Sequence, residues 1–173
     1  MNYKIITIIG ILMIVVIGGA YTMREKPDPN KTPDIIYKNI SVYFPNKDKY
    51  NVGTEPYEES VERKTEITTG SMQAVLKELY LGPSQAEKDR GLFMTYNHTT
   101  GATITFEPET GVAKIYLKGE CNSDGASYTI GSIIAKNIRQ FPEVKYVRIY
   151  DPEGKTQAPE KPLSSSSPAC LEP

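Results

Sequence analysis

Residues 102–117 read ATITFEPETGVAKIYL, two alternating runs around a Pro-Glu-Thr-Gly connection. Alternation of period two places every second side chain on one face of a strand. In the second run that face carries Ala113, Ile115 and Leu117, so Tyr116 points the other way. Pro108 and Gly111 are residues suited to a tight reversal, and the stretch predicts a β-hairpin. This hairpin decides the fold class, because everything else must supply a cover for its apolar face.

Two covers are visible. Met72, Val75, Leu76, Leu79 and Tyr80 recur at i, i+3, i+4, i+7 and i+8, which is one buried stripe of a helix. Thr69 or Ser71 can cap its start, and Gly82-Pro83 stops it, with Gly suited to a left-handed position. A second helix is expected over 129–140, with Ile130, Ile133, Ile134, Ile138 and Phe141 on its apolar side. Residues 40–44 (ISVYF) and 144–150 (VKYVRIY) alternate as strands. Residues 57–67 fit a helix by propensity and a strand by the alternation around Val61. The order predicts an α+β fold: a two-layer sandwich with one mixed sheet and two helices packed on one face.

The flanks divide the chain further. Lys and Arg number 20 against 21 Asp and Glu, a net charge of −1 that removes the electrostatic case for nucleic acid. Only Lys4 among the charged residues falls in the first 23 positions. Residues 5–20 (IITIIGILMIVVIGGA) carry no charge. Their length lies between a signal-peptide core and a bilayer span, which needs about 17–25 apolar residues. Residues 1–22 therefore read as an uncleaved anchor or as a signal peptide cut after Ala20. Either puts the body outside the cytoplasm, membrane-tethered or secreted. Residues 23–36 are a Pro-rich spacer, 37–152 the folded domain, and 153–173 a Pro/Ser-rich tail.

In an oxidising compartment, the two cysteines of the chain, Cys121 and Cys170, permit one intramolecular bridge. Closing the intervening loop would remove about 4 kcal/mol of unfolded-state entropy and fold the tail back onto the body. The alternative is free or intermolecular thiols, which applies if the body is cytosolic. Catalytic signatures are missing: no P-loop, His-Glu-x-x-His or Gly-x-Ser-x-Gly occurs. His98 lies in a polar turn without a nucleophile motif, so it reads as a solvated loop residue. Residues 120–125 (ECNSDG) imitate a calcium loop, but Gly131 stands where the bidentate Glu belongs, and a capped turn is the better reading. No catalytic residue, cofactor or metal is expected.

Several pieces taken in order resemble the GerMN domain of bacterial sporulation and germination proteins and of many envelope lipoproteins. They are ISVYFP at 40–45, Val61-Glu62-Arg63, the helix running into Gly82-Pro83-Ser84, Glu87, Gly91-Leu92, the hairpin at Gly111, Phe141-Pro142 and the last strand. The resemblance covers nearly all of 37–152 and implies an extracytoplasmic α/β module with no known catalytic centre, similar to modules that build membrane-associated rings. It favours the strand reading of 59–67. The chain departs from its relatives in the long tail and in lacking a lipobox, so neither lipidation nor a sporulation role is carried over.

The expectation is a non-enzymatic envelope module acting through protein contact, with an unknown envelope protein or a second copy as partner. Tyr116, Tyr146, Arg148 and Tyr150 are the candidate surface, since exposed Tyr and Arg are enriched in interfaces. Alternation alone does not tell which sheet face the helices cover. The alternatives are a binding module for a wall polymer or small ligand, and a hydrolase with an unrecognised site.

Overall fold

The computed structural model describes residues 37–67, 70–125, 128–156 and 170–171, all within the compact unit Ile35–Pro173. The N-terminal anchor or signal segment, the spacer to residue 36 and the Ser164–Ser167 run lie outside the described residues. Among those described, no helix is long and apolar enough to cross a membrane.

The order is β1 (Tyr37–Pro45), α1 (Lys47–Val52), β2 (Glu58–Glu66), α2 (Ser71–Leu81), α3 (Gln85–Asp89), β3 (Thr99–Glu107), β4 (Val112–Gly119), α4 (Ile130–Ile138) and β5 (Tyr146–Tyr150). The hairpin is β3–β4, paired antiparallel from Thr99↔Gly119 to Glu107↔Val112. Its connection needs Gly111, which has φ +70° and an N–H donating to Glu107 O at 2.8 Å. A side chain there would also strike Lys145 and the Glu143 carbonyl. Strand β5 joins the other side of β4 in parallel, with α4 as the crossover. Residues 58–66 are a strand, as the resemblance implied.

The core follows the alternation. Ala113, Ile115 and Leu117 are buried and face Ala102, Ile104, Phe106, Val147 and Ile149 across the ladders. Helices α2 and α4 lie against this inner face, α2 near β3 and α4 near β5. Ile40, Val42 and Phe44 of β1 enter the same cluster, beside Ile130, Ile133, Ile134 and Ile138.

One expectation is corrected: the single mixed sheet is two sheets, a β1–β2 ribbon and a three-stranded β3–β4–β5 sheet. Side-chain amides explain the break. Asn137 of α4, fully buried, accepts the Tyr43 N–H at 2.9 Å and donates to Tyr43 O at 2.8 Å. Gln140 donates to Ser41 O at 3.0 Å. Along β3, Gln73 of α2 donates to Ala102 O at 3.1 Å and accepts the Ile104 N–H at 3.0 Å. Asn137 and Gln73 each present the donor and acceptor that a neighbouring strand would supply, and Gln140 adds a donor, so β1 and β3 are satisfied without pairing to another strand at these positions.

Smaller corrections concern ends. Helix α2 begins after Gly70 with no side-chain cap, and Thr69 lies outside the described residues. Gly82 leaves that helix at φ +76°, ψ 179°, extended with a positive φ rather than left-handed helical. The two short helices were not expected. Asn46 caps α1 by accepting from the Asp48 and Lys49 N–H groups, and Ser84 with Glu87 forms a capping box on α3. Glu87 also pairs with Arg63 at 2.6 Å, and that guanidinium lies over Phe44. A largely covered ion pair thus ties β2 to α3.

Candidate functional site

The helices fix which face of the three-stranded sheet is left over. With Ala113, Ile115 and Leu117 turned inward, Lys114 and Tyr116 of β4 point outward. The registers Val112↔Tyr146, Lys114↔Arg148 and Tyr116↔Tyr150 bring the β5 side chains alongside. All four expected surface residues, Tyr116, Tyr146, Arg148 and Tyr150, therefore share the outer face. Tyr116 and Tyr150 stack with centroids 5.0 Å apart and planes 13° apart, a cross-strand pair of the kind that stabilises sheets. Tyr116 is 40% exposed and Tyr146 62%.

Charge is interleaved with these rings. Lys114 forms an ion pair with Glu107 across the hairpin. Hydrogen bonding to Glu107 holds the Lys114 ammonium above its ordinary pKa, and the same bond to Lys114 holds Glu107 below the usual carboxylate value. Both charges stay on through the physiological range. The arrangement is an aromatic strip with interleaved fixed charges.

The remaining candidates are placed elsewhere. Cys121 and Cys170 are joined by a disulfide with Cα atoms 4.8 Å apart. Cys170 is fully buried, and Leu171 beside it lies against Gly131 of α4. Asn97, the asparagine of an Asn-x-Thr triplet, is buried and accepts the Ile130 N–H at 2.7 Å, so it bolts its turn to the start of α4. In the 120–125 turn, Asn122 accepts the Asp124 N–H at 3.1 Å, so that side-chain oxygen is spent on the turn itself. Among the described residues no group of three or more His, Cys, Asp or Glu could hold a metal.

His98, at φ +63°, meets Asp124 with Nε2–Oδ2 at 2.5 Å, both half-exposed or more. The hydrogen bond to Asp124 raises the His98 pKa above 6.5. A raised folded-state value means that the pair's stabilisation is full below the unfolded pKa and fades as pH rises through the folded one. Accordingly, Asp124→Asn should lower the His98 titration midpoint toward 6.5, as followed by its ring proton shifts. An unmoved midpoint would dissolve the pair.

Sequence reasoning missed Asn137, Gln73 and the Arg63–Glu87 link. Asn137 left a trace, since it interrupts the isoleucine stripe at i+4 from Ile133.

A family model described as "Germane: Sporulation and spore germination" matches residues 41–158, more than half of the chain. The chain belongs to this family. It is a GerMN-type domain, and the match runs from the middle of β1 through β2, both long helices and the complete three-stranded sheet. Among solved structures, the chain is similar to the tandem GerMN domains of the sporulation protein GerM from Bacillus subtilis. That match has 17% identity and a TM-score of 0.40, covering 86% of this chain and 51% of that one. The chain thus spans about half the length of that relative. No curated protein sequence matches it.

Proposed function

We propose that this GerMN-type domain is a non-enzymatic contact module of the bacterial cell envelope. Its N-terminal segment would tether or export it, leaving the domain outside the cytoplasm. Its partner is a protein, either another envelope protein or a second copy, and the contact surface is the outer face of the three-stranded sheet. One observation carries the reading: Tyr116, Tyr146, Arg148 and Tyr150 lie together on the face opposite the helices, with Tyr146 62% exposed. Rigid aromatics beside an arginine are the side chains that contribute most per residue at protein interfaces.

In-cell photo-crosslinking tests this. A photoreactive residue at Tyr146 of the full chain should yield a protein adduct, and the same residue at exposed Lys77 on α2 should not. Tyr116→Ala should reduce the adduct several-fold. Equal labelling at both positions, or recovery of wall glycan alone, would sink the proposal.

A further inference from the structure

The strand edges of this fold are not treated alike. Asn137 and Gln140 cover β1, and Gln73 covers β3. Strand β5 forms the opposite edge of its sheet, with β4 as its neighbour among the described strands and Thr156 bridged to its last residue. The Tyr146 N–H donates to Gly111 O on the β4 side, at 3.2 Å. Successive backbone groups alternate in direction, so Val147 and Ile149 turn theirs toward the outer edge. The far end is closed by the Tyr150↔Thr156 bridge and by the Asp151 N–H donating to Lys155 O. At Val147, among the described residues, no side-chain amide performs the task that Asn137 and Gln73 perform elsewhere.

Two concavities run along this edge. One of 190 Å³ lies between α4 and β5, where Ala135, Arg139, Val147 and Ile149 line it. The other, of 460 Å³, opens at the start of β5 beside Arg139, Lys145, Val147 and Arg148. Arg139 and Val147 line both, so the two concavities adjoin along the groove beside β5. No Asp or Glu lines either part. Arg139 and Lys145 make no ion pair among the described residues.

We infer that the β5 edge and the groove beside α4 bind an extended acidic segment of a partner protein, added to the sheet as a further strand. The occupant follows from the two chemistries present. Open strand backbone recognises main-chain amides, and the alternation of an added strand sorts its side chains. One set faces the apolar strip of Ala135, Val147 and Ile149. The other faces out toward Lys145 and Arg148, with Arg139 at the groove wall. A peptide alternating apolar and acidic residues satisfies both. An anionic polymer without amides would use the cations but leave the Val147 backbone unsatisfied. This groove borders the outer sheet face and shares Tyr146 and Arg148 with it, so Arg139, Lys145 and the Val147 backbone, which lie outside that residue set, are what tell the two readings apart.

The test uses the oxidised full chain in detergent and a fluorescein-labelled octapeptide of alternating Val and Glu, read by anisotropy. Binding is expected in the range of about 10–100 μM, with slowed amide exchange at Val147. Arg139→Glu and Lys145→Glu should each weaken it about tenfold. A version N-methylated on alternate residues, unable to donate to the edge, should bind at least about tenfold worse. An alternating Val and Lys peptide should not bind. Three results would overturn the inference: no binding at about 1 mM, equal binding of the N-methylated peptide or of octaglutamate, or affinity indifferent to both charge reversals.

Discussion

Asn137→Leu should lower the unfolding free energy by about 3 kcal/mol, read from urea denaturation. The substitution fills nearly the same volume, so the loss is not one of packing. It strips the partners from the Tyr43 N–H and C=O, at 2.9 and 2.8 Å, on a part-buried strand edge. Each orphaned group costs about 1–3 kcal/mol, a large share of the roughly 5–15 kcal/mol that holds a domain together. Asn137→Asp adds a sharper signature. It keeps an acceptor for the Tyr43 N–H but turns a carboxylate toward the carbonyls of Tyr43 and Ile133. Burial and those carbonyls raise the folded-state pKa of such an acid, so its deficit should grow as pH rises above about 4. If the Leu variant loses less than about 1 kcal/mol, water is satisfying the edge and the amide is not what separates the sheets.

Breaking the Cys121–Cys170 bridge is the second large effect. Its closure spans a sequence separation of 49, and restoring the freedom of that loop to the unfolded chain costs about 4 kcal/mol in the chain-entropy account. Cys170→Ser and chemical reduction should agree on the magnitude, since both free the same loop. The folded side has a stake as well: Cys170 is fully buried and Leu171 is 7% exposed, so release of the tail end uncovers apolar surface next to α4. Denaturation with and without reductant checks it, and unfolding free energies within about 0.5 kcal/mol of each other would remove the bridge from the stability account.

The hairpin and both long helices were legible because their periods run unbroken over enough residues to separate two from 3.6. The six-residue α1 and five-residue α3 are too short to show a period, and only their caps, Asn46 and Ser84 with Glu87, carried a local signal. The division into two sheets was hidden for a different reason. It depends on where the amides of Gln73 and Asn137 reach, which is a property of helix placement and not of strand pattern.

The candidate face was half legible. Alternation grouped Tyr146, Arg148 and Tyr150 and set Tyr116 outward, yet the side the helices cover is fixed only by burial of Ala113, Ile115 and Leu117. Arg139 had no signal at all. It ends a helix whose parallel crossover happens to return beside Lys145, and that neighbourhood exists only in three dimensions.

The bridge also decides how the domain carries mechanical load. Tension applied between Tyr37 and Leu171 passes along the backbone to Cys121 and there crosses to Cys170. Everything threaded between those cysteines, including α4 and β5, is a slack side loop under force. Pulled from its ends, the oxidised domain would yield first in the ribbon, α2 or the hairpin, while β5 could be lost only as a consequence. Reduction would put the side loop back in series and lengthen the fully extended chain by about 3.3–3.6 Å for each residue released.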